Sequence, residues 1–250
     1  MTAVFVHGVP ETSRVWDRLR ARLSTDSTVL DLPGFGVPRP TDFGATMGEY
    51  AQWLESELRG IEGPIDLVGH DWGAALVARV AMNSRVVLRS WAIDMAGVLH
   101  PAYVWHDLAK VWQTPGAGEQ WAKTAAEAAV EDPAGASAPF IQAGVPADDA
   151  VAMAERLDAT MAGCILDLYR SATPNPHAHW GSGLSAPTSA PGLVLQPLLD
   201  PFDDPAASGE IAAHLGARTR SLDGGGHWWM LQDPDGAADA LERFWATVDE

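Results

Sequence analysis

The sequence predicts an α/β protein, a doubly wound, mostly parallel sheet of about six strands broken by one helical insertion. Three observations lead there. Short apolar runs alternate along the chain with stretches whose apolar residues recur at helical spacing. The runs are apolar at nearly every position, which is the pattern of strands covered on both faces, as parallel strands are. The rhythm breaks once, from about Gly97 to Ala190, where the chain reads as helix without strand.

Ala3-Val4-Phe5-Val6 is the first strand and runs straight into His7-Gly8. Val15, Trp16, Leu19 and Leu23 share one face of a helix over Ser13 to Leu23. The second strand, Val29 to Leu32, stops at the loop signal Pro33-Gly34-Phe35-Gly36. Tyr50, Trp53, Leu54 and Leu58 make a helix that ends near Gly60. Ile65 to Val68 is a third strand closed by Gly69, and the almost wholly apolar stretch Ala74 to Met82 suits a helix buried on most sides. Ser90 to Ile93 and Leu193 to Leu195 are the fourth and fifth strands, Thr219 to Leu222 is the last, and a terminal helix over Pro234 to Val248 turns Ala238, Leu241, Phe244 and Trp245 inward. Within the insertion, helices are expected over Trp105 to Trp112, Glu119 to Val130 and Asp148 to Arg170, with a joint at Pro133 to Ala136 and a Pro/Ser/Gly-rich return over Thr173 to Pro191. The expected division is a core of residues 1–96 and 191–250 and a helical lid of residues 97–190, set where strand ends form a ligand crevice.

A chain of 250 residues, 47% hydrophobic and with 11 tryptophans, fills one large core. Its 33 acidic against 16 basic side chains give a net charge of -17, which repels phosphate backbones and anionic headgroups. Nucleic acid and membrane surfaces are therefore not expected as partners, while a homodimer stays open. The single cysteine, Cys164, supports no disulfide framework and reads as a small buried apolar side chain. No signal-peptide pattern opens the chain and no run approaches the ~20 apolar residues of a membrane span, so a cytoplasmic setting is expected.

The chemistry concentrates at three loops that follow strands. Gly69-His70-Asp71-Trp72-Gly73 joins a strand to a helix, and glycines two residues either side of Asp71 permit the sharp turn that lifts one side chain above a sheet. A helix-capping Asp is the plain alternative. His7-Gly8-Val9-Pro10 follows the first strand, where the Val9 N–H can join that of Trp72 in an oxyanion hole. Gly224-Gly225-Gly226-His227-Trp228 follows the last strand and can suspend His227 over Asp71. At these residues the chain resembles the α/β-hydrolase superfamily, in the branch with an aspartate nucleophile that holds epoxide hydrolases and haloalkane dehalogenases. The resemblance covers essentially the whole chain in the order nucleophile, acid, histidine. It implies that the first two strands of the family's sheet are missing, which leaves Val29 to Leu32 at an edge.

An aspartate is a poor nucleophile toward amides but displaces leaving groups from saturated carbon, giving an ester that His227 and water then hydrolyse. Serine-type esterase and peptidase chemistry is demoted accordingly. The resemblance calls for no metal and no cofactor. It sets His7 and Trp228 beside Val9 and Trp72 around the oxyanion hole and a small, apolar, neutral substrate. The acid behind His227 is expected to be Asp200, in Leu198-Leu199-Asp200-Pro201-Phe202, with Asp94 as the alternative. Leu168-Tyr169-Arg170 resembles the second of two lid tyrosines that protonate the opening ring in epoxide hydrolases. At the first such position stands Leu108, with Tyr103 or His106 as substitutes on a shifted helix. Trp72 can also donate to a halide, although Val9 stands where haloalkane dehalogenases commonly carry Asn. Trp72 and Ala75 replace the arginines by which haloacetate dehalogenases clamp a carboxylate, which disfavours an anionic substrate. The order of readings is epoxide hydrolase, haloalkane-type dehalogenase, and then a non-catalytic small-molecule-binding homologue.

Overall fold

The computed structural model describes residues 1–83, 85–130 and 136–248. Six strands, β1 (Thr2–Val6), β2 (Ser27–Leu30), β3 (Ile65–Gly69), β4 (Leu88–Ile93), β5 (Gly192–Pro197) and β6 (Arg218–Leu222), form one sheet in the order β2-β1-β3-β4-β5-β6. Every neighbouring pair is parallel. The strand pleat sends alternate residues to opposite faces. Both faces are covered along the inner strands β1, β3, β4 and β5, whereas β2 at one edge is half-buried and β6 at the other is exposed up to Leu222. Val4, Val6, Leu67, Trp91 and Ile93 pack into the core with the helices Met47–Arg59 and Trp72–Asn83. Ala3, Phe5, Val68, Ala92, Leu193 and Leu195 pack on the other side with Trp16, Trp229, Leu241 and Phe244.

The second strand lies at an edge, as the sequence predicts, but leaves the sheet after Leu30. The reason is hydrogen bonding: the Leu32 N–H donates to His7 Nε2 at 3.1 Å, and Asp31 Oδ1 accepts the Ser13 N–H at 3.0 Å, so both residues are drawn out of the ladder. The expected helix over Ser13 to Leu23 is shorter, a 3-10 turn at Ser13–Trp16 followed by one α-turn at Asp17–Arg20. A helix at Pro205–Leu215 carries no strong signal in the sequence, because its Ala, Ser and Gly residues give little contrast between faces. Asp204 starts it by accepting the Ala206 N–H at 2.9 Å.

Helices occupy the segment between β4 and β5. Asp107–Gln113 and Ala117–Glu127 come first, then Ala138–Gln142. The expected long helix over Asp148 to Arg170 is two, Ala147–Ala154 and Ala159–Ser171, because the Asp158 carboxylate takes the Met161 N–H at 2.8 Å and begins a new helix there. Pro176–Trp180 adds a short helix inside the expected loop return. Residues 133–135 of the expected joint lie outside the described residues.

The chain leaves β1 to form β2 on one side and returns to form β3 on the other. The carboxyl ends of β1 and β3 therefore flank the point where strand order reverses, the place where open parallel sheets form a crevice. The helix after β3 must start very close to β1, and glycine makes that approach possible. A Cβ on Gly73 would run into the Val6 carbonyl, and a Cβ on Gly69 into the Gly73 carbonyl, both of them backbone groups that cannot yield. Gly73→Ala should accordingly destabilise by about 2 kcal/mol or more. Gly163→Ala, in the helix Ala159–Ser171 with open space around the new Cβ, should stabilise by about 0.5–1 kcal/mol. Urea unfolding of the two variants checks both signs.

Candidate active site

Asp71 sits at the turn from β3 into the helix Trp72–Asn83, with a φ of 52° in the left-handed region that L-residues seldom occupy. Its own N–H donates to Asp94 Oδ1 at 3.0 Å, which ties the turn to the end of β4. The Val9 N–H donates to Asp71 Oδ1 at 2.9 Å, and the Trp72 backbone N–H also stabilises the carboxylate. Gly8 allows this closeness, since a Cβ there would lie 2.5 Å from the Asp71 Cβ. Oδ1 is thus held by the Val9 N–H, and the carboxylate lines the cavity. Burial raises the carboxyl, the nearby His227 and His70 lower it, and the result is a group pushed up to about 6.

His227 follows β6, and its Nδ1 lies 2.9 Å from Asp200 Oδ2. Asp200 Oδ1 accepts the Phe202 N–H at 2.8 Å, so the acid is fixed by its own loop. Burial raises the Asp200 carboxyl, but its hydrogen bond to His227 and that residue's charge bring it below the usual range. An ionised Asp200 accepts the Nδ1 proton and leaves Nε2 of a neutral His227 free to take another.

Asp94 engages other groups. Its carboxylate accepts the Asp71 N–H, the Trp229 Nε1–H at 2.6 Å and His70 Nδ1 at 2.5 Å. His70 Nε2 lies 3.1 Å from Glu11 Oε1, and Glu11 also accepts the Gly8 N–H at 3.0 Å and the Trp228 Nε1–H at 2.5 Å. Glu11 and His70 are functional candidates to which the sequence assigns no role, although His70 lies inside the Gly69 to Gly73 motif and Glu11 directly follows Pro10. Burial raises the Glu11 carboxyl, yet the His70 charge and hydrogen bond outweigh it and hold Glu11 down to about 2. Burial lowers His70, and the charges of Asp94 and Glu11 reverse this, leaving the imidazole well above its ordinary value. Atoms of Glu11, His70 and His227 lie within 4.8 Å of one another, a spacing a metal ion could span. Both His70 nitrogens and both Glu11 oxygens are already engaged, so the group is better suited to ion pairing.

The other expected contacts fall in two places. His7 is fully buried and does not line the cavity: Nε2 accepts the Leu32 N–H, which puts its proton on Nδ1, 2.8 Å from the Gly8 carbonyl. It joins the loops after β1 and β2 rather than contacting a substrate. Val9, Trp72, Trp228, Asp71 and His227 all line one cavity of about 540 Å³. Its far wall comes from the helical insertion, including Tyr103, Tyr169 and Leu108. The Tyr169 ring meets the edge of the Trp72 indole at 5.4 Å between centroids. Burial raises both tyrosines above the usual phenol range, and the negative charge of Asp71 raises both further. Both therefore stay protonated donors. His106 also reaches the cavity, but its Nδ1 is spent capping the helix Asp107–Gln113, where it accepts the Ala109 N–H at 3.2 Å.

A family model described as the alpha/beta hydrolase family matches residues 3–240. The chain belongs to that family. Among solved structures, this hydrolase is similar to the haloalkane dehalogenase DbeA of Bradyrhizobium elkanii, at 20% identity and a TM-score of 0.75 over 99% of this chain and 90% of that one. It is also similar to a candidate epoxide hydrolase from Pseudomonas aeruginosa, at 18% identity and a TM-score of 0.77 over 99% and 89% of the two chains. N-formylmaleamic acid deformylase from Pseudomonas putida S16 is similar too, at 16% identity and a TM-score of 0.75 over 96% and 91%. At such identities the likeness shows the fold alone. No curated protein matches the sequence of this hydrolase. Among its described residues, no helix is long and apolar enough to cross a membrane.

The Glu11 carboxyl gives this hydrolase a testable acid response. A carboxyl lowered in the folded state contributes stability that is present above its unfolded value near 4.5 and is lost as pH falls toward about 2. The melting temperature of Glu11→Gln should therefore fall less steeply than that of the wild type from pH 4.5 to 2. At neutral pH the same change should cost about 3 kcal/mol, because His70 loses half of its ion pairing. Thermal melts across the pH series measure both effects.

Proposed function

We propose that this hydrolase opens epoxides to diols through a covalent ester on Asp71. The observation that carries the reading is Asp71 on a strained turn, one oxygen bound by the Val9 N–H, facing two protonated tyrosines across a largely apolar cavity. The free Asp71 oxygen attacks a ring carbon as the carbon–oxygen bond breaks. The departing oxygen takes a proton from Tyr169 or Tyr103, so no bare alkoxide forms. Tyr103 supplies the second donor for which the position of Leu108 has no hydroxyl.

His227 then removes a proton through Nε2 from a water that attacks the ester carbon, while Asp200 stabilises the imidazolium. The oxygen bound by the Val9 and Trp72 amides becomes the oxyanion, and the 2.9 Å Val9 contact already has the length this requires. Collapse of the tetrahedral intermediate breaks the ester bond, and the expelled diol oxygen takes the proton of the hydroxyl newly added to the Asp71 carboxyl. The His227 imidazolium returns its proton to the tyrosinate, which restores Asp71, His227 and the tyrosine. Residues 97–190 serve as the lid in this reading, and the unpaired, buried Cys164 accords with work in the reducing cytoplasm.

A haloalkane substrate is the second reading, favoured by the Trp72 indole at the cavity wall beside Asp71. Halide leaves without a proton, so the tyrosines separate the two. Tyr169→Phe and Tyr103→Phe should each slow single-turnover alkylation by an epoxide, the stronger by about 10²–10⁴-fold, and should slow alkylation by a bromoalkane less. Equal losses with both substrates would move the assignment to the dehalogenase.

The two steps also separate by pH. Alkylation needs ionised Asp71, which titrates at about 6. Hydrolysis needs neutral His227, whose burial lowers it but whose bond to Asp200 leaves it above its ordinary value. Near pH 6 the wild type should accumulate ester, and His227→Gln should do so at every pH where Asp71 is ionised. Asp71→Ala should form none. Intact-mass spectrometry reads the adduct, and a His227→Gln enzyme that stays unmodified by an epoxide the wild type consumes would refute the covalent route.

A further inference from the structure

We propose that His70 is a positioning residue for the base: a permanently charged imidazolium, clamped between Glu11 and Asp94, that holds the His227 ring and disfavours a second positive charge beside it. The proposal rests on the reading of His227 as the base and goes beyond it, since nothing in that mechanism uses His70.

The hydrogen-bond inventory assigns the charge. Glu11 receives the Gly8 N–H and the Trp228 indole N–H, and Asp94 receives the Asp71 N–H and the Trp229 indole N–H. Each carboxylate therefore presents acceptor oxygens to His70, one at each ring nitrogen. A neutral imidazole would aim a lone pair at one of those anions, whereas an imidazolium donates to both. The side chain is fully buried, so no water can take the place of either partner.

Position gives that charge a target. The His70 and His227 rings lie 4.7 Å apart between centroids at 56°. The indoles that bind the two carboxylates belong to Trp228 and Trp229, the residues immediately after His227. The network thus clamps the chain on which the base is mounted. Around His227 stand Asp200 and Asp71, which favour its charged form, Glu11, whose carboxylate does the same, and His70 and His106, whose charge opposes it. Around His70 stand Glu11, Asp94, Asp71, Asp200, His7 and His227. Without the His70 cation, the acids around His227 would hold it protonated and idle to a higher pH.

The test is NMR titration of the ring nitrogens in the substrate-free protein. In the wild type, both His70 nitrogens should carry protons from pH 5 to 9 while His227 titrates. In His70→Gln, the His227 midpoint should rise by about one pH unit, and the acid limb of ester hydrolysis should move with it. A merely structural His70 would lower the melting temperature and leave that midpoint in place, which would overturn the proposal. A wild-type His70 that loses a ring proton within the range would overturn it too, and that measurement needs no variant to fold. The two NMR readouts use no substrate, so failure to turn over epoxides would count against the proposed reaction and leave this inference standing.

Discussion

The site is organised by one buried cation. His70 is closed off from solvent and bonded to carboxylates on both sides, Glu11 from the loop after β1 and Asp94 from the end of β4. Those carboxylates reach further, to the main chain of Gly8 and Asp71 and to the indoles of Trp228 and Trp229. Four strand ends, those of β1, β3, β4 and β6, are thereby tied to a single charge. Desolvating an ion triad is costly, and apolar residues of equal volume often give a more stable fold. What apolar packing does not supply is direction: each of these bonds fixes the orientation of a group that faces the cavity or adjoins one that does.

A second economy lies in Asp71 itself. Its backbone is strained, and its carboxyl is raised by burial. Both costs are offset locally, the first by glycines that let strand and helix close together, the second by the Val9 and Trp72 amides. In the proposed reaction the same amides would serve the resting carboxylate and the tetrahedral oxyanion, so little reorganisation would be needed as charge moves onto that oxygen.

The wall opposite has a different character. Apart from its two tyrosine hydroxyls and His106, the insertion presents mostly apolar surface to the cavity. Asp71 and His227 come to the cavity from the sheet side, and the tyrosine hydroxyls come from the insertion. Structures named for dehalogenation, epoxide hydrolysis and deformylation share one fold with this chain at TM-scores of 0.75 to 0.77, so the fold by itself does not fix the reaction.

Sequence alone determined the sheet, because a parallel strand must be apolar on both faces and β1 and β3 carry that requirement in every residue save Asp66 and the two ends. It also determined where the chemistry lies, because a turn as tight as that at Asp71 tolerates only glycine at positions 69 and 73. Weakly patterned elements stayed illegible: Pro205–Leu215 has too little contrast between faces, and β2 stops early because Leu32 bonds to His7, 25 residues away. Tertiary structure alone decided what Asp94 meets. Asp94 and Asp200 both follow strands, and only the Asp-Pro-Phe pattern of the resemblance favours Asp200, leaving Asp94 without an assigned partner. Only in the folded chain does Asp200 meet His227 while Asp94 meets His70. Tyr103 reached the cavity by the same route, since the path of the chain between β4 and the first inserted helix is set by packing rather than by period. Local pattern records which groups a turn or a strand can hold. Pairing between charges far apart in sequence depends on distances that exist only once the sheet has closed.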